Sequence, residues 1–356
     1  MTDTAARLLD RVARYVDVPS LSGDEGALAS LVEGELAQRA DLELTRIGDN
    51  VVARTTGNAP SRVVVAGHLD TVPGAAGAIV AAGRVTGLGA CDMKGSLAVM
   101  VELATTMPRR AHEVTWLFYA CEEVARERSG LLEVLAARPD LLHADAAIVC
   151  EPTSAVVEAG CQGVVRARMV LRGVRAHTAR PWRGRNAIQR LAAPLAAVAA
   201  YEPRRVELDG VTFAEQLQAV GVTGGVAGNV VPDEATLDLG LRVAPDRSTE
   251  EAAASLHELL DRFLEDGDEL EILDTAEPAP PGLDHPVLAQ LVALSGAPPR
   301  AKLGFTDVST FAALGVPAAN FGAGDPELAH HPGEFVDETD LVRCHDTLAA
   351  LLGDAS

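Results

Sequence analysis

Between residues 62 and 150 short apolar runs alternate with helical patterns, and this rhythm limits the possible folds more than any other feature of the chain. The runs "RVVVA" (62–66), "VTWLFYA" (114–120) and "AAIVC" (146–150) have strand length. The segments "KGSLAVMVELATTM" (94–107) and "SGLLEVLAAR" (129–138) lie between them and read as helices. Strands that are apolar almost throughout are buried on both faces, so the pattern predicts an α/β fold with a mostly parallel sheet flanked by helices. Ligands of such sheets bind outside the carboxyl ends of the strands. Here those ends deliver His68 and Asp70, then the adjacent Glu122 and Glu123, then Glu151.

Two helical patterns (4–16 and 25–39) and strand-like segments at 42–47 and 50–54 precede this region. After residue 163 the pattern changes. "VVRARMVLRG" (164–173) alternates apolar and basic residues, as on a half-solvated antiparallel sheet, and is followed by a helical pattern near 186–200. A strand at "ATLDLGLRV" (235–243), a helix at 250–263 and a strand at "ELEIL" (269–273) complete this part, and the Pro-rich "EPAPPG" (277–282) leads back to α/β character. Residues 164–276 are therefore expected to form an α+β unit inserted into a larger one made of 1–163 and 277–356. The length of 356 residues agrees with two units, because single cores stop growing at about 250–300 residues.

The net charge of −21 disfavours nucleic acid and anionic membranes as partners. The longest Ala/Leu/Val stretch, 191–200, is short and interrupted by Pro194, so no membrane span is expected. "MTDTAARLLDRVARYV" reads as an amphipathic helix rather than a secretion signal, and a cytoplasmic location is expected. Five cysteines without Cys-x-x-Cys spacing read as free thiols. Only Lys94 and Lys302 are lysines, so recognition of an anion falls to arginine, whose planar fork suits carboxylates.

Taken singly, each polar residue has an ordinary explanation. His68 and Asp70 fit a loop histidine beside a solvated acid, Asp92 in "GLGACDMKGS" fits a helix N-cap, and each glutamate fits a surface acid. Together they change the reading. His68, Asp92, Glu122 with Glu123, and Glu151 all close consecutive α/β segments, and "LAHHPGEF" adds His330 and His331 downstream. Nitrogen and carboxylate ligands without thiolates suit zinc or a similar divalent ion, and two histidines with three carboxylates suit two ions sharing one bridging carboxylate. Cys91, Cys121 and Cys150 each precede one of these acids, and strand alternation points them away, into packing.

With "GHLDTVP", "GLGACDMKG", "CEEVARERSG", "CEPT", "GVRAHTARPWRGRNAI", "GNVVPDEATLDLGLRVAP" and "KLGFTDVSTFAALGVPAANFGAGDPELAHHPGE" in view, the chain resembles the two-zinc aminoacylase and metallopeptidase family over nearly its whole length, and within it the desuccinylases. The resemblance implies a zinc exopeptidase-like catalytic domain with an inserted dimerisation or lid domain. It implies two Zn2+ per subunit, with Co2+ able to substitute. His68 and Glu151 would hold one ion, Glu123 and His330 the other, and Asp92 would bridge. Glu122 would be the general base and Asp70 would orient His68. A homodimer through the inserted domain would bring His177 to the partner's active site, and Arg180, Asn229, Arg242 and Thr306 would touch a polycarboxylate substrate.

For at least two of Arg175, Arg183 and Arg185 a solvated turn is the simpler reading. The reaction implied is hydrolysis of the amide of N-succinyl-LL-2,6-diaminopimelate. Deacetylation of acetylornithine or acetylcitrulline, or dipeptide hydrolysis, would keep the same ligands. A metal-free binding module would show gaps among them, and none is visible.

Overall fold

The computed structural model describes residues 3–107 and 110–353; residues 1, 2, 108, 109 and 354–356 lie outside that description. The chain opens with α1 (Asp3–Asp17) and α2 (Gly26–Leu36). Then come β1 (Leu42–Ile47), β2 (Asn50–Thr55), β3 (Arg62–His68), β4 (Ile79–Ala81), β5 (Arg84–Thr86), α3 (Gly95–Thr106), β6 (Glu113–Tyr119), α4 (Gly130–Ala137), β7 (Ala146–Val149) and β8 (Glu158–Ala159). The middle of the chain supplies β9 (Gly163–Arg172), β10 (Ala176–His177), α5 (Ala187–Arg190), α6 (Ala192–Ala199), β11 (Arg205–Leu208), β12 (Val211–Ala214), β13 (Gln216–Gly224), β14 (Val230–Val231), β15 (Glu234–Val243), α7 (Thr249–Leu260) and β16 (Glu269–Ala276). It ends with α8 (Pro286–Ser295), β17 (Arg300–Ala301), α9 (Val308–Ala313), β18 (Ala318–Asn320), β19 (Phe335–Asp337) and α10 (Glu338–Leu352).

Two compact units result: Met1–Ala159 with Pro281–Arg300 and Thr310–Ser356, and Gly160–Pro280 with Ala301–Ser309. The second unit extends slightly beyond 164–276 on both sides and takes in 301–309 as well. Main-chain hydrogen bonds explain the difference: Cys161 and Ala279 exchange two at 3.1 Å, and Gln162 N–H donates to Lys302 O at 3.2 Å.

The first unit is built on a sheet with strand order β1-β2-β6-β3-β7-β18-β8-β17. Its middle strands β6, β3, β7 and β18 are parallel, while β1, β2 and β8 pair antiparallel. The parallel strands are the near-continuous apolar runs, because helices cover both faces and leave no polar side. α3 follows the same logic: Gly95 to Ala104 are all buried, and the one acid among them, Glu102, is met by Arg7 Nε at 2.7 Å and Arg11 Nη1 at 2.5 Å from α1.

The second unit is a four-stranded antiparallel sheet, β13-β15-β9-β16. Val165, Ala167, Met169 and Leu171 alternate with exposed positions along β9, and their face packs on α5, α6 and α7 through Leu191, Val198, Leu256 and Leu260. The single helix expected at 186–200 is broken at Leu191. Asn186 caps α5 by accepting from Gln189 N–H, and Pro194, lacking an N–H, leaves the Arg190 carbonyl without its helical donor. The hairpin β11–β12 and strand β13 escaped the sequence reading, since the "QLQAVGVTG" of β13 is largely exposed and lacks a clear apolar alternation.

Candidate active site

Because β6, β3 and β7 run parallel, their carboxyl ends open on one edge of the sheet, and the candidate ligands gather there. His68 is the last residue of β3. Its Nδ1 lies 3.0 Å from the main-chain oxygen of Asp70, and its Nε2 lies 3.1 Å from Asp92 Oδ1. Donation from Nδ1–H to a carbonyl leaves the Nε2 lone pair facing the cluster, which is the tautomer a metal ligand needs. The Asp70 carboxylate stands farther away, at 3.6 Å from Nδ1.

That carboxylate has another engagement. After β6, Cys121 takes a left-handed conformation (φ 57°) and the chain turns sharply through Glu122 and Glu123. Four successive main-chain N–H groups in this turn are each met by a side chain. Ala120 donates to Asn50 Oδ1 (2.9 Å), Cys121 to Glu25 Oε1 (3.0 Å), Glu122 to Asp70 Oδ1 (2.9 Å) and Glu123 to Asp70 Oδ2 (2.9 Å). Ser22 Oγ–H donates to Asp70 Oδ2 as well (2.7 Å). Asp70 therefore touches His68 mainly through its backbone and uses its fully buried side chain to hold the glutamate pair in place.

Asp92 is not an N-cap. Its φ of −113° and ψ of 95° are non-helical, the cap position of α3 falls on Lys94, and the Asp92 side chain turns toward the histidines. Oδ1 faces His68 Nε2, and Oδ2 lies 3.5 Å from His330 Nε2. His330 Nε2 also lies 2.7 Å from Glu123 Oε1. Among the described residues, donor atoms come within 4.8 Å of one another in three overlapping sets: His68, Asp92 and Glu151; Asp92, Glu123 and His330; and His68, Glu122 and Glu123. His331 belongs to none of the three sets. Close approach at Gly322 completes the geometry, since a Cβ there would strike the carbonyls of Cys150 and Glu151.

The electrostatics ask for a cation. Burial works against protonating His68, but Asp92, Asp70 and Glu151 outweigh it and hold its pKa well above the usual histidine range. His330, hydrogen-bonded to Asp92 and Glu123, is raised to about 9. Burial would raise the Asp92 carboxyl, yet His330 and His68 carry it well below the usual range. Burial pushes the Glu123 carboxyl upward. So many carboxylates in so little water are tolerable only beside positive charge, which protonated histidines supply or divalent ions would. The donor set fits such ions: two imidazoles, only carboxylates besides, and one aspartate offering a separate oxygen to each histidine. Thiolates take no part. Burial raises the thiols of Cys91 and Cys150 strongly and that of Cys121 to about 11, and Cys91 donates to Asp325 O.

Two acids that hold this site were not singled out from the sequence. One is Glu25. The other is Glu334, 1% exposed, whose Oε1 accepts the N–H groups of Cys91 (2.7 Å) and Asp92 (2.8 Å) and whose Oε2 accepts that of Gly89 (3.1 Å). It reaches them because β19 pairs antiparallel with β5, which sets Phe335 opposite Thr86 just before the Asp92 turn. The available signal was its place four residues after His330 in "HHPGE".

The remaining candidates lie in the second unit. β10 pairs with β14, which sets His177 opposite Val230, and Thr178 N–H donates to Asn229 O at 3.0 Å, so His177 and Asn229 are neighbours. His177 and Arg180 are exposed. Arg242 stands on the open face of β15, and Thr306 is buried, its main-chain oxygen 3.6 Å from Cys161 Sγ. Arg175 and Arg185 pair with Asp233 and Glu265, in keeping with solvated turns.

Residues 64–354 match the model of peptidase family M20/M25/M40. The chain is 44% identical to a Mycobacterium tuberculosis protein named DapE, covering 99% of this chain and 100% of that one. It is 43% identical to a Corynebacterium glutamicum succinyl-diaminopimelate desuccinylase, covering 90% of this chain and 89% of that one. Its fold is similar to that of aminopeptidase PepT from Bacillus cereus, at a TM-score of 0.79 and 17% identity over 98% of each chain. The chain thus belongs to peptidase family M20/M25/M40.

Proposed function

We propose that this protein is a metal-dependent amidohydrolase that cleaves N-succinyl-LL-2,6-diaminopimelate into succinate and LL-2,6-diaminopimelate. The observation that carries the reading is Asp92, which directs one oxygen to His68 and the other to His330 while Glu122 shares a donor cluster with His68 and Glu123. The similarity to the Corynebacterium desuccinylase over most of both chains supports the choice of substrate. His68, Asp92 and Glu151 would hold one divalent ion, and Asp92, Glu123 and His330 the other, zinc being the proposed metal and cobalt a substitute. When bound, such a pair polarises an amide carbonyl and acidifies a water molecule.

Glu122 takes the proton of the attacking water and passes it to the departing amine nitrogen as the C–N bond breaks. Asp70 keeps Glu122 at its post through the main-chain hydrogen bond described above. His177 from a second copy donates to the oxyanion of the tetrahedral intermediate. Asn229, Arg180, Arg242 and Thr306 contact the substrate. The homodimer belongs to the same proposal, supported by β13, an outer strand of its sheet with Val220 and Val222 exposed. So does a cytoplasmic location.

Steady-state kinetics on metal-replete enzyme, with N-succinyl-LL-2,6-diaminopimelate and N-acetylornithine side by side, test the reading. A higher kcat/KM for the succinylated compound is expected. A higher kcat/KM for the acetylated one overturns the substrate assignment.

A further inference from the structure

The sheet of the second unit has one face on its helices and one face open, and the open face lines a cavity of about 590 Å³. Arg166 and Arg168 of β9, Asp238 and Arg242 of β15, and Gln216 and Gln218 of β13 stand around it. In the β9–β15 register Arg166 is opposite Gly240 and Arg242 is opposite Val164, so the two arginines are diagonal neighbours on this face. Gly240 keeps the space beside Arg166 clear, since the nearest atom to a Cβ there would be Val220 Cγ1 at 3.6 Å.

The three arginines of this face differ in their partners. Arg168 Nε donates to Asp238 Oδ1 at 2.6 Å, which engages the acid that lines the cavity. Among the described residues no side-chain hydrogen bond or ion pair reaches Arg166 or Arg242. Asp274 is opposite Arg166 in the β9–β16 register, but the strand bulges between Ile272 and Asp274 and no ion pair joins them. Burial within the concave face and then the charge of Arg166 lower the pKa of Arg242. In a chain with 51 acids and 30 bases, two adjacent guanidinium groups without an ion-pair partner offer N–H donors of the kind that suit a carboxylate.

We propose that Arg166 joins Arg242, which the proposed function already sets against the substrate, in one subsite that receives a carboxylate, with Arg166 as a specificity-determining residue. Each guanidinium presents a planar set of N–H donors, and two of them can clasp both oxygens of one carboxylate. The identity of the ligand as substrate rests on the proposed function, whereas the existence of the anion site does not.

Calorimetric titration of the metal-loaded, full-length protein with succinate and, separately, with LL-2,6-diaminopimelate tests the subsite. Arg166→Met is expected to weaken binding of at least one of them about ten- to hundredfold. Loss for succinate assigns the subsite to the acyl chain, and loss for the diamine assigns it to the amine side. Arg168→Met, whose guanidinium is engaged by Asp238, is expected to bind both as the parent does. The proposal is overturned if Arg166→Met binds both products normally, if Arg168→Met loses as much, or if the parent protein binds neither. Because the readout is product binding, a parent that binds succinate but fails to hydrolyse the succinylated amide would overturn the proposed reaction and leave the subsite standing.

Discussion

Asp70, Asp92 and Glu334 of the first unit are withdrawn from water and their oxygens are taken up by histidines and main-chain N–H groups, whereas His177 and Arg180 of the second unit are exposed and Arg242 stands on the open face of its sheet. The contrast teaches where rigidity is built. Ligands for a pair of ions must hold their positions to within fractions of an ångström, and buried carboxylates that bind successive N–H groups supply that stiffness. Groups proposed to meet a flexible substrate or a second copy need access more than confinement, and ordinary sheet and turn positions suffice for them.

The largest effect expected is on the glutamate pair itself. Glu122→Gln should lower kcat by about a thousandfold while the protein retains both metals, and Glu123→Ala should lose one metal, as measured by metal analysis beside steady-state assays. Should both variants lose metal equally, the division of labour between the two acids is wrong. Removal of metal by a chelator should abolish turnover, and zinc or cobalt should restore it.

Each unit also carries its own buried glutamate between two arginines. Glu102 meets Arg7 and Arg11, and Glu215 meets Arg204 and Arg247 together with the N–H of Ala244 (3.0 Å). Burial alone would raise both carboxyls, yet their arginine partners carry them below the usual glutamate range. A depressed folded-state pKa contributes stability above the unfolded value, and that contribution disappears as pH falls through the folded pKa. Acid unfolding should therefore steepen as pH falls below the usual glutamate range, and Glu102→Gln or Glu215→Gln should flatten it. Either glutamate replaced by Ala should cost about 3 kcal/mol in denaturant titrations at neutral pH, because two arginines lose a buried partner.

A smaller effect is expected one step out from the metals. Glu334→Gln puts an NH2 group where an oxygen accepts main-chain N–H, loosening the turn that aims Asp92. Metal affinity should fall about ten- to hundredfold with the fold intact, as read from competition with a chromophoric chelator. The smallest belongs to an exposed ion pair of the second unit: Arg175→Ala, which removes a surface pair with Asp233, should change stability by less than about 1 kcal/mol. A larger loss there would break the contrast between the units.

Much of the first unit was legible in the sequence because its evidence is local. Continuous apolar runs at 62–66, 114–120 and 146–150 report burial on both faces, and the polar residues after them report strand exits. Strands β11 and β13 were less legible, since they bury too little to leave an apolar pattern, and β12, although it buries Val211 and Phe213, is only four residues long. Asp92 shows the same limit at the site. A single acid before a helix reads equally as a cap or a ligand, and only its non-helical backbone and the two histidines across from it decide.

The sequence by itself determined the α/β rhythm, the change of pattern after residue 163, and the kinds of donor gathered at strand exits, because periodicity and residue type are properties of neighbours along the chain. Only the tertiary structure decided that Asp70 serves the glutamate turn, that Glu334 holds the turn of Asp92, and that Arg166 and Arg242 stand together with no ion pair to an acid among the described residues. Those facts depend on which segments meet after the chain has folded. Pairing between β5 and β19, residues 84–86 and 335–337, is set by the packing of the whole unit rather than by any short stretch of it.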